Sequence, residues 1–296
     1  MTKVFLTGGT GFIGSNLRAF LSQSAFHVEI LARPQANRAA DTLGGVTKVH
    51  WYTGEYESVR SALAASKPDI VIHLATHFVG RHVSRDIAPM IQSNVLFGNH
   101  LLEGMAECGL KNYIDAGTFW QHFNGDAYNP AALYAATKQA FQDILRYYVE
   151  AAGIRAITLE FFETYGPLDT RPKILNLLIQ KLRENAPMHL SPGFQELDFV
   201  HVLDVCRAFR LAMDLLTESG MRRFAVSSGN PVNLRELVRL LESVAEREGQ
   251  FKFGTLQYRE REIFQAKTPV PRLPGWNAQI SLEAGIRELW MRNFDR

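Results

Sequence analysis

The sequence predicts an α/β chain, a doubly wound parallel sheet with a smaller C-terminal lobe, on three observations. Short apolar runs alternate with longer amphipathic stretches through the first half. A glycine cluster follows the first apolar run at once. Beyond about Gly166 the alternation loosens and prolines punctuate the chain. Strand–helix alternation means a parallel sheet with helices on both faces, and right-handed crossovers wind it in both directions.

Each element rests on its own pattern. Residues 3–7 are a short apolar run that reads as a buried strand. Residues 12–22 carry Phe12, Ile13, Leu17, Phe20 and Leu21 at helical spacing. Strands follow at 28–32 and 46–51, then a helix at 55–65. Residues 69–74 are almost continuously apolar, as expected of a strand covered on both faces. A long helix over 86–108, a strand at 113–116, a long helix over 131–152 and a strand at 155–161 complete the first half. Shorter helices at 174–184, 205–217, 234–247 and 282–293 alternate with brief strands. The division expected is a sheet domain over 1–166, joined by returning segments from the C-terminal half, and a substrate-binding lobe over 167–296.

Composition excludes several classes. A hydrophobic content of 46% supports a sizeable core, and a formal net charge of +2 leaves no basic excess for nucleic acid. No apolar stretch reaches the roughly 18 residues of a spanning helix, so no membrane partner is expected. The opening MTKVFLTGG has no long apolar region, so a signal peptide is not expected. Cys108 and Cys206 lack metal or redox spacing and read as free thiols in a reducing, cytoplasmic setting. No histidine pattern suggests a metal.

The glycine cluster carries the first chemistry. Gly8, Gly11 and Gly14 stand at GxxGxxG spacing between a strand and a helix, with Thr10, Phe12 and Ile13 among them. Such a turn needs positive φ, lets a pyrophosphate approach the backbone, and presents a helix N-terminus to negative charge. This is the dinucleotide cradle of a Rossmann-type sheet. An NAD site places an acid at the end of the second strand. Here Ala32 and Arg33 stand there, with Arg38 in reach, and a guanidinium grips a 2′-phosphate where a carboxylate would repel it. The cofactor expected is NADP(H).

Tyr134 and Lys138 form a YxxxK pair opening a long helix. One turn apart, both side chains reach the same cleft. A tyrosine titrating near 10 is a poor acid at neutral pH, and a nearby cation lowers that value. Tuned so, Tyr134 protonates a carbonyl oxygen as hydride reaches the carbon.

With these residues the chain resembles the extended short-chain dehydrogenase/reductase family, the NAD-dependent epimerase/dehydratase group. GGTGFIG at 8–14 and YAATK at 134–138 are the most specific matches. His73, Leu74, Ala75 and Thr76 resemble its HLAA stretch, Asn94 begins its NVxGT segment, and Tyr165, Gly166 and Pro167 match its YGP turn. Residues 198–205 resemble its RDFVHVDDV segment and 273–276 its late LGW motif. The resemblance implies a catalytic set of Thr118, Tyr134 and Lys138. It implies cofactor contacts from Leu74, Ala75, Thr76, Asn94 and Phe161; the substrate contacts expected are Thr118, Phe119, Glu163, Lys173 and Arg259, with His77 and His82 following the fourth strand at the sheet's carboxyl edge, where ligands bind.

Three departures narrow it. Phe119 and Trp120 replace the acid pair of the dehydratases, so dehydration is disfavoured. Leu197 replaces an arginine that contacts diphosphate, a role left to Arg259 or Arg261. Glu163 stands where many members have Asn, either to bind sugar hydroxyls or for structure alone. The segments around Thr118 and Tyr134 are similar to reductases of CDP-linked dideoxysugars. The implied activity is NADPH-dependent reduction of a nucleotide-activated 4-keto-deoxysugar. The alternatives are a nucleotide-sugar 4-epimerase and, from another class, a non-catalytic NADP-binding regulator. Pairing of the 86–108 and 131–152 helices between copies would make a homodimer.

Overall fold

A computed structural model describes residues 1–34 and 44–292. Arg38 and Asn293 lie outside the described residues. In chain order the larger elements are β1 (Thr2–Thr7), α1 (Phe12–Ser22), β2 (Phe26–Ala32), β3 (Lys48–Trp51), α2 (Tyr56–Ser66) and β4 (Ile70–His73). Then come α3 (Ser84–Ile91), a π-helical turn (Gln92–Leu96), α4 (Phe97–Glu107), β5 (Asn112–Thr118), α5 (Leu133–Ala152), β6 (Arg155–Phe161) and β7 (Glu163–Tyr165). The remainder holds α6 (Ile174–Glu184), β8 (Met188–His189), β9 (Glu196–Leu197), β10 (Phe199–His201), α7 (Val202–Asp214), β11 (Gly220–Val226), β12 (Val232–Asn233), α8 (Leu234–Ala245), β13 (Phe251–Lys252) and α9 (Leu282–Arg292).

Seven strands form one parallel sheet in the order β11-β6-β5-β4-β1-β2-β3. The expected doubly wound fold is therefore present. One face packs Val4, Leu6, Val28, Ile30 and Ile72 against Leu17 and Leu21 of α1 and Val205 and Phe209 of α7. The other packs Phe5, Leu31, Val71 and Tyr113 against Leu63 of α2, Leu101 and Met105 of α4 and Phe141 and Leu145 of α5. Strand order reverses between β1 and β4, and the crevice beyond the carboxyl ends of those strands is where such a sheet binds ligand. A second core joins Leu178 and Leu182 of α6, Leu237 and Leu241 of α8, and Ile286 and Trp290 of α9. The segment after Pro167 thus builds a separate apolar centre while also sending α7 and β11 back to the sheet.

Two expected elements differ. The helix expected over 86–108 is two α-helices joined by the π turn, with Pro89 inside the first. Apolar periodicity does not register a widened turn or a proline that lacks the N–H for its carbonyl partner. The helix expected from 205 begins at Val202, where the His201 ring accepts from the Leu203 N–H and caps it. No described helix is long and apolar enough to cross a membrane.

Candidate active site

The phosphate cradle is closed to side chains at two of its glycines and tight at the third. Gly8 has φ +70°, and a Cβ there would lie 2.5 Å from the Ala75 nitrogen. A Cβ on Gly14 would lie 2.2 Å from the Gly8 carbonyl oxygen. A Cβ on Gly11 would press on that carbonyl at 3.3 Å, a tight approach, and Gly11 lines the crevice. The Gly11 N–H donates to Gly8 at 3.0 Å and tightens the turn. Among the described residues no side chain caps α1, so its first-turn N–H groups are left for a ligand. The arrangement fits a dinucleotide pyrophosphate.

A cavity of about 880 Å3 runs from this cradle along the sheet edge. Gly8, Thr10, Gly11, Phe12, Ile13, Gly14 and Arg33 line one end of it, with Tyr52 and Gly54 from the loop after β3. Leu74, Ala75, Thr76 and His77 line its middle, and Phe161 faces them from β6. Thr118, Phe119, Tyr134, Lys138, Glu163 and Lys173 line the other end. Nearly every residue expected at the site therefore shares one cavity.

Asn94 and Arg259 are the two that do not line it. Asn94 is buried in the π turn. Its Oδ1 accepts from the Thr76 hydroxyl at 3.0 Å and the His77 N–H at 2.7 Å. Its Nδ2 donates to the His77 carbonyl at 3.1 Å and to the Thr137 hydroxyl at 3.0 Å. With that amide fully engaged, Asn94 ties the 74–77 loop to α5 from behind the cavity wall rather than meeting a ligand. Arg259 gives Nε and Nη2 to Glu262 at 3.0 and 2.8 Å and stands 4.8 Å over the Trp120 ring. Arg261 is taken by the Pro130 carbonyl at 3.0 Å, stacks on Phe123 and donates to Asn129. Arg259 therefore backs Trp120 of the wall, while the partners of Arg261 do not line the cavity.

Tyr134, Lys138 and Thr118 are all buried. The Thr118 hydroxyl caps a short 3-10 turn, accepting from the Trp120 N–H at 3.3 Å, and keeps its own proton for a ligand. Burial pushes the Tyr134 phenol up to about 12, while hydrogen bonding at Thr76 and the charge of Arg171 pull the other way and Glu163 adds to the rise. Arg171, from the loop after β7, brings a second cation to the phenol that the i,i+4 spacing did not signal. Lys138 is buried within reach of the Asp115 charge. Burial lowers its ammonium below the ordinary lysine value, and the Asp115 charge opposes that.

Asp115 belongs to a polar row that crosses the sheet under α5. Thr7 pairs with His73, His73 with Asp115, Asp115 with Thr158, and Thr158 with Arg223. Direct strand partners share a face. The Thr7 hydroxyl lies 2.7 Å from His73 Nδ1, and Thr158 donates to Asp115 at 2.6 Å. Desolvation and the Lys138 charge push His73 down to about 3, so it stays neutral. One row further, buried Glu160 holds His122 Nε2 at 2.8 Å and Arg223 Nε at 2.9 Å.

The far end of the cavity is aromatic and cationic. Phe119 stacks on Phe162 at 4.6 Å. Lys173 pairs with Glu163 at 3.1 Å and sits 4.3 Å over the Phe78 ring. Phe78 meets Tyr134 edge-on at 4.9 Å. Sequence reading missed Phe78, Trp120 and Arg171 as wall residues. Phe78 and Arg171 sit in irregular loops and Trp120 in a single 3-10 turn, where no periodicity marks a direction.

The comparisons agree with this geometry. The family model described as the NAD dependent epimerase/dehydratase family matches residues 4–225. A CDP-abequose synthase of Salmonella muenchen is 24% identical over 290 residues, covering 97% of this chain and 96% of that protein. A GDP-6-deoxy-D-mannose reductase of Pseudomonas aeruginosa is 25% identical over 319 residues, covering 97% and 95%. The structure of a UDP-glucose 4-epimerase of Thermotoga maritima with UDP-glucose superposes with a TM-score of 0.86 at 19% identity, covering 100% of both chains. MoeE5 in complex with UDP-glucose and NAD gives 0.85 at 22% identity, covering 99% of this chain and 100% of the other. With the glycine cradle, the YxxxK pair and the matched span in agreement, the chain belongs to the NAD-dependent epimerase/dehydratase family.

Proposed function

We propose that the protein is an NADPH-dependent reductase of a nucleotide-activated 4-keto-deoxysugar. The observation that carries this reading is the meeting of Tyr134, Lys138 and Thr118 with the glycine cradle in one cavity. When bound, the dinucleotide supplies hydride to the C4 carbonyl carbon. Tyr134 gives its phenolic proton to the carbonyl oxygen, and the Thr118 hydroxyl hydrogen-bonds that oxygen and orients it. The Lys138 ammonium holds the cofactor ribose. Arg33, at the end of β2 where an acid would select NAD, supports a 2′-phosphate. Phe119 and Trp120 bring no acid–base pair to the site, which favours simple reduction over loss of water. The relative named GDP-6-deoxy-D-mannose reductase points the same way.

Loss of NADPH absorbance across a panel of nucleotide-linked 4-keto-6-deoxy sugars tests the activity. Tyr134→Phe should cut turnover by about 10^2 to 10^4 while NADPH affinity stays within about twofold. Unchanged turnover would remove Tyr134 as the acid.

The epimerase reading keeps support from relatives named UDP-glucose 4-epimerase, one in Bacillus subtilis at 23% identity over 331 residues. An enzyme that oxidises and re-reduces one carbon retains its cofactor. Stoichiometric dinucleotide released on denaturation would favour that reading over an exchangeable NADPH. A cytoplasmic homodimer is part of the proposal. Both cysteines are free, and Ile87, Ile91 and Tyr147 stand exposed on α3 and α5.

A further inference from the structure

We propose that Arg171 is a clamp on the nicotinamide-side phosphate of the bound dinucleotide, reaching over the cradle from the loop between β7 and α6. The inference rests on a dinucleotide occupying the cavity but not on which sugar is reduced.

The guanidinium is built into place. Its Nε donates to Asp169 Oδ1 at 2.7 Å, and its Nη2 to Asp169 Oδ2 and the Thr164 carbonyl at 2.8 Å each and to the Thr164 hydroxyl at 3.2 Å. The Asp169 side chain is only 1% exposed. The loop is tied down on both sides. Asn16 of α1 donates to the Pro167 carbonyl at 3.0 Å, and Asn176 of α6 donates to the Arg171 carbonyl at 2.9 Å. One side of the fork is thereby committed. Nη1 has no partner among the described residues, and Arg171 lines the cavity.

The position selects the ligand atom. The Arg171 guanidinium carbon lies 4.4 Å from the centre of the Phe12 ring, at the first residue of α1. Its charge also acts on the Tyr134 phenol. Arg171 therefore stands between the pyrophosphate cradle and the site of proton transfer. A dinucleotide stretched from one to the other passes its second phosphate there. Glu163 is paired with Lys173 and Asp169 with Arg171 itself, so neither acid is free to occupy the open edge. An arginine held on one side by a carboxylate presents a pre-oriented donor to a phosphate oxygen on the other.

The test is fluorescence titration of NADPH, NADH, 2′,5′-ADP and CDP into wild type and Arg171→Met, repeated across a salt series. Loss of the charge-assisted bond should weaken the bound dinucleotide about tenfold and flatten its salt dependence. Affinity for 2′,5′-ADP, which lacks the second phosphate, should stay within about twofold. The double variant Asp169→Asn/Arg171→Met leaves no orphaned carboxylate and should show the same pattern with a native thermal transition. Unchanged dinucleotide affinity would overturn the clamp. So would a loss confined to CDP, which would assign Arg171 to the substrate diphosphate, or an equal loss for 2′,5′-ADP. If wild type bound NADH but not NADPH, the NADPH reading would fall while the Arg171 comparison with NADH still decided the clamp.

Discussion

Arg33 is the single side chain on which the proposed choice of NADPH rests. It follows β2, is exposed, and lines the cradle end of the cavity, opposite Tyr52 and Gly54. A charge-assisted bond to a 2′-phosphate contributes about 1.5–3 kcal/mol, or roughly 10- to 100-fold in affinity. Arg33→Asp should therefore weaken NADPH by at least tenfold and narrow or reverse the preference over NADH, measured as the ratio of dissociation constants. An unchanged ratio would mean that Arg33 does not touch the 2′-phosphate. The identity of this residue was legible from sequence because strand end and charge are both local facts. Arg171 was not. It stands 37 residues from Tyr134 by number, and nothing in the spacing of Thr170, Arg171 and Pro172 signals that its charge faces a phenol.

The π turn gives the comparable lesson at the level of elements. Sequence reading expected one helix from 86 to 108 and a ligand contact from Asn94. The widened turn places Asn94 where its amide binds the 74–77 loop on one side and α5 on the other. Asn94→Ala would remove the partner of the half-buried His77 N–H and carbonyl, while the Thr137 hydroxyl keeps its bond to the Tyr134 carbonyl. Each unsatisfied group costs about 1–3 kcal/mol unless water replaces the partner. The variant should lose several degrees in thermal midpoint, and dinucleotide binding should weaken because Leu74, Ala75 and Thr76 lose their brace. Full stability with normal binding would show the brace to be dispensable. The polar row under α5 is an element-scale fact of the same kind. Thr7, His73, Asp115, Thr158 and Arg223 come from five strands, and only their register aligns them.

For the whole molecule, that buried row sets a pH limit. His73 is pushed down to about 3 in the folded chain and titrates near 6.5 when unfolded. Below 6.5 the unfolded chain binds a proton that the folded chain refuses, so stability is full above 6.5 and falls as pH drops toward 3. At about 1.4 kcal/mol per unit, the loss from this residue alone approaches roughly 4–5 kcal/mol by pH 3. Denaturant midpoints measured from pH 7 to pH 4 should fall steadily, and His73→Asn should flatten that slope. A slope identical in the variant would place the acid sensitivity elsewhere. Assembly is the other whole-molecule question. Ile87 and Ile91 are each 43% exposed and lie four residues apart on α3. Ile87→Glu/Ile91→Glu should shift sedimentation from dimer to monomer if these helices pair across a two-fold axis. A wild-type monomer would discard the pairing.

What the amino-acid order determined alone is what lies within one turn or one helix. The glycine spacing at 8, 11 and 14, the YxxxK interval, the apolar runs of the sheet and the missing acid after β2 are of this kind. Their geometry follows from backbone periodicity, so residues a few positions apart have a known relation whatever the rest of the chain does. Tertiary structure decided that the Arg171 charge reaches Tyr134 and the Asp115 charge reaches Lys138, that the Asn94 amide braces the 74–77 loop, and that Arg259 packs over Trp120. Those relations join residues tens of positions apart. They arise from strand register, loop path and the burial that strengthens one charge on another, and no local interval encodes any of the three.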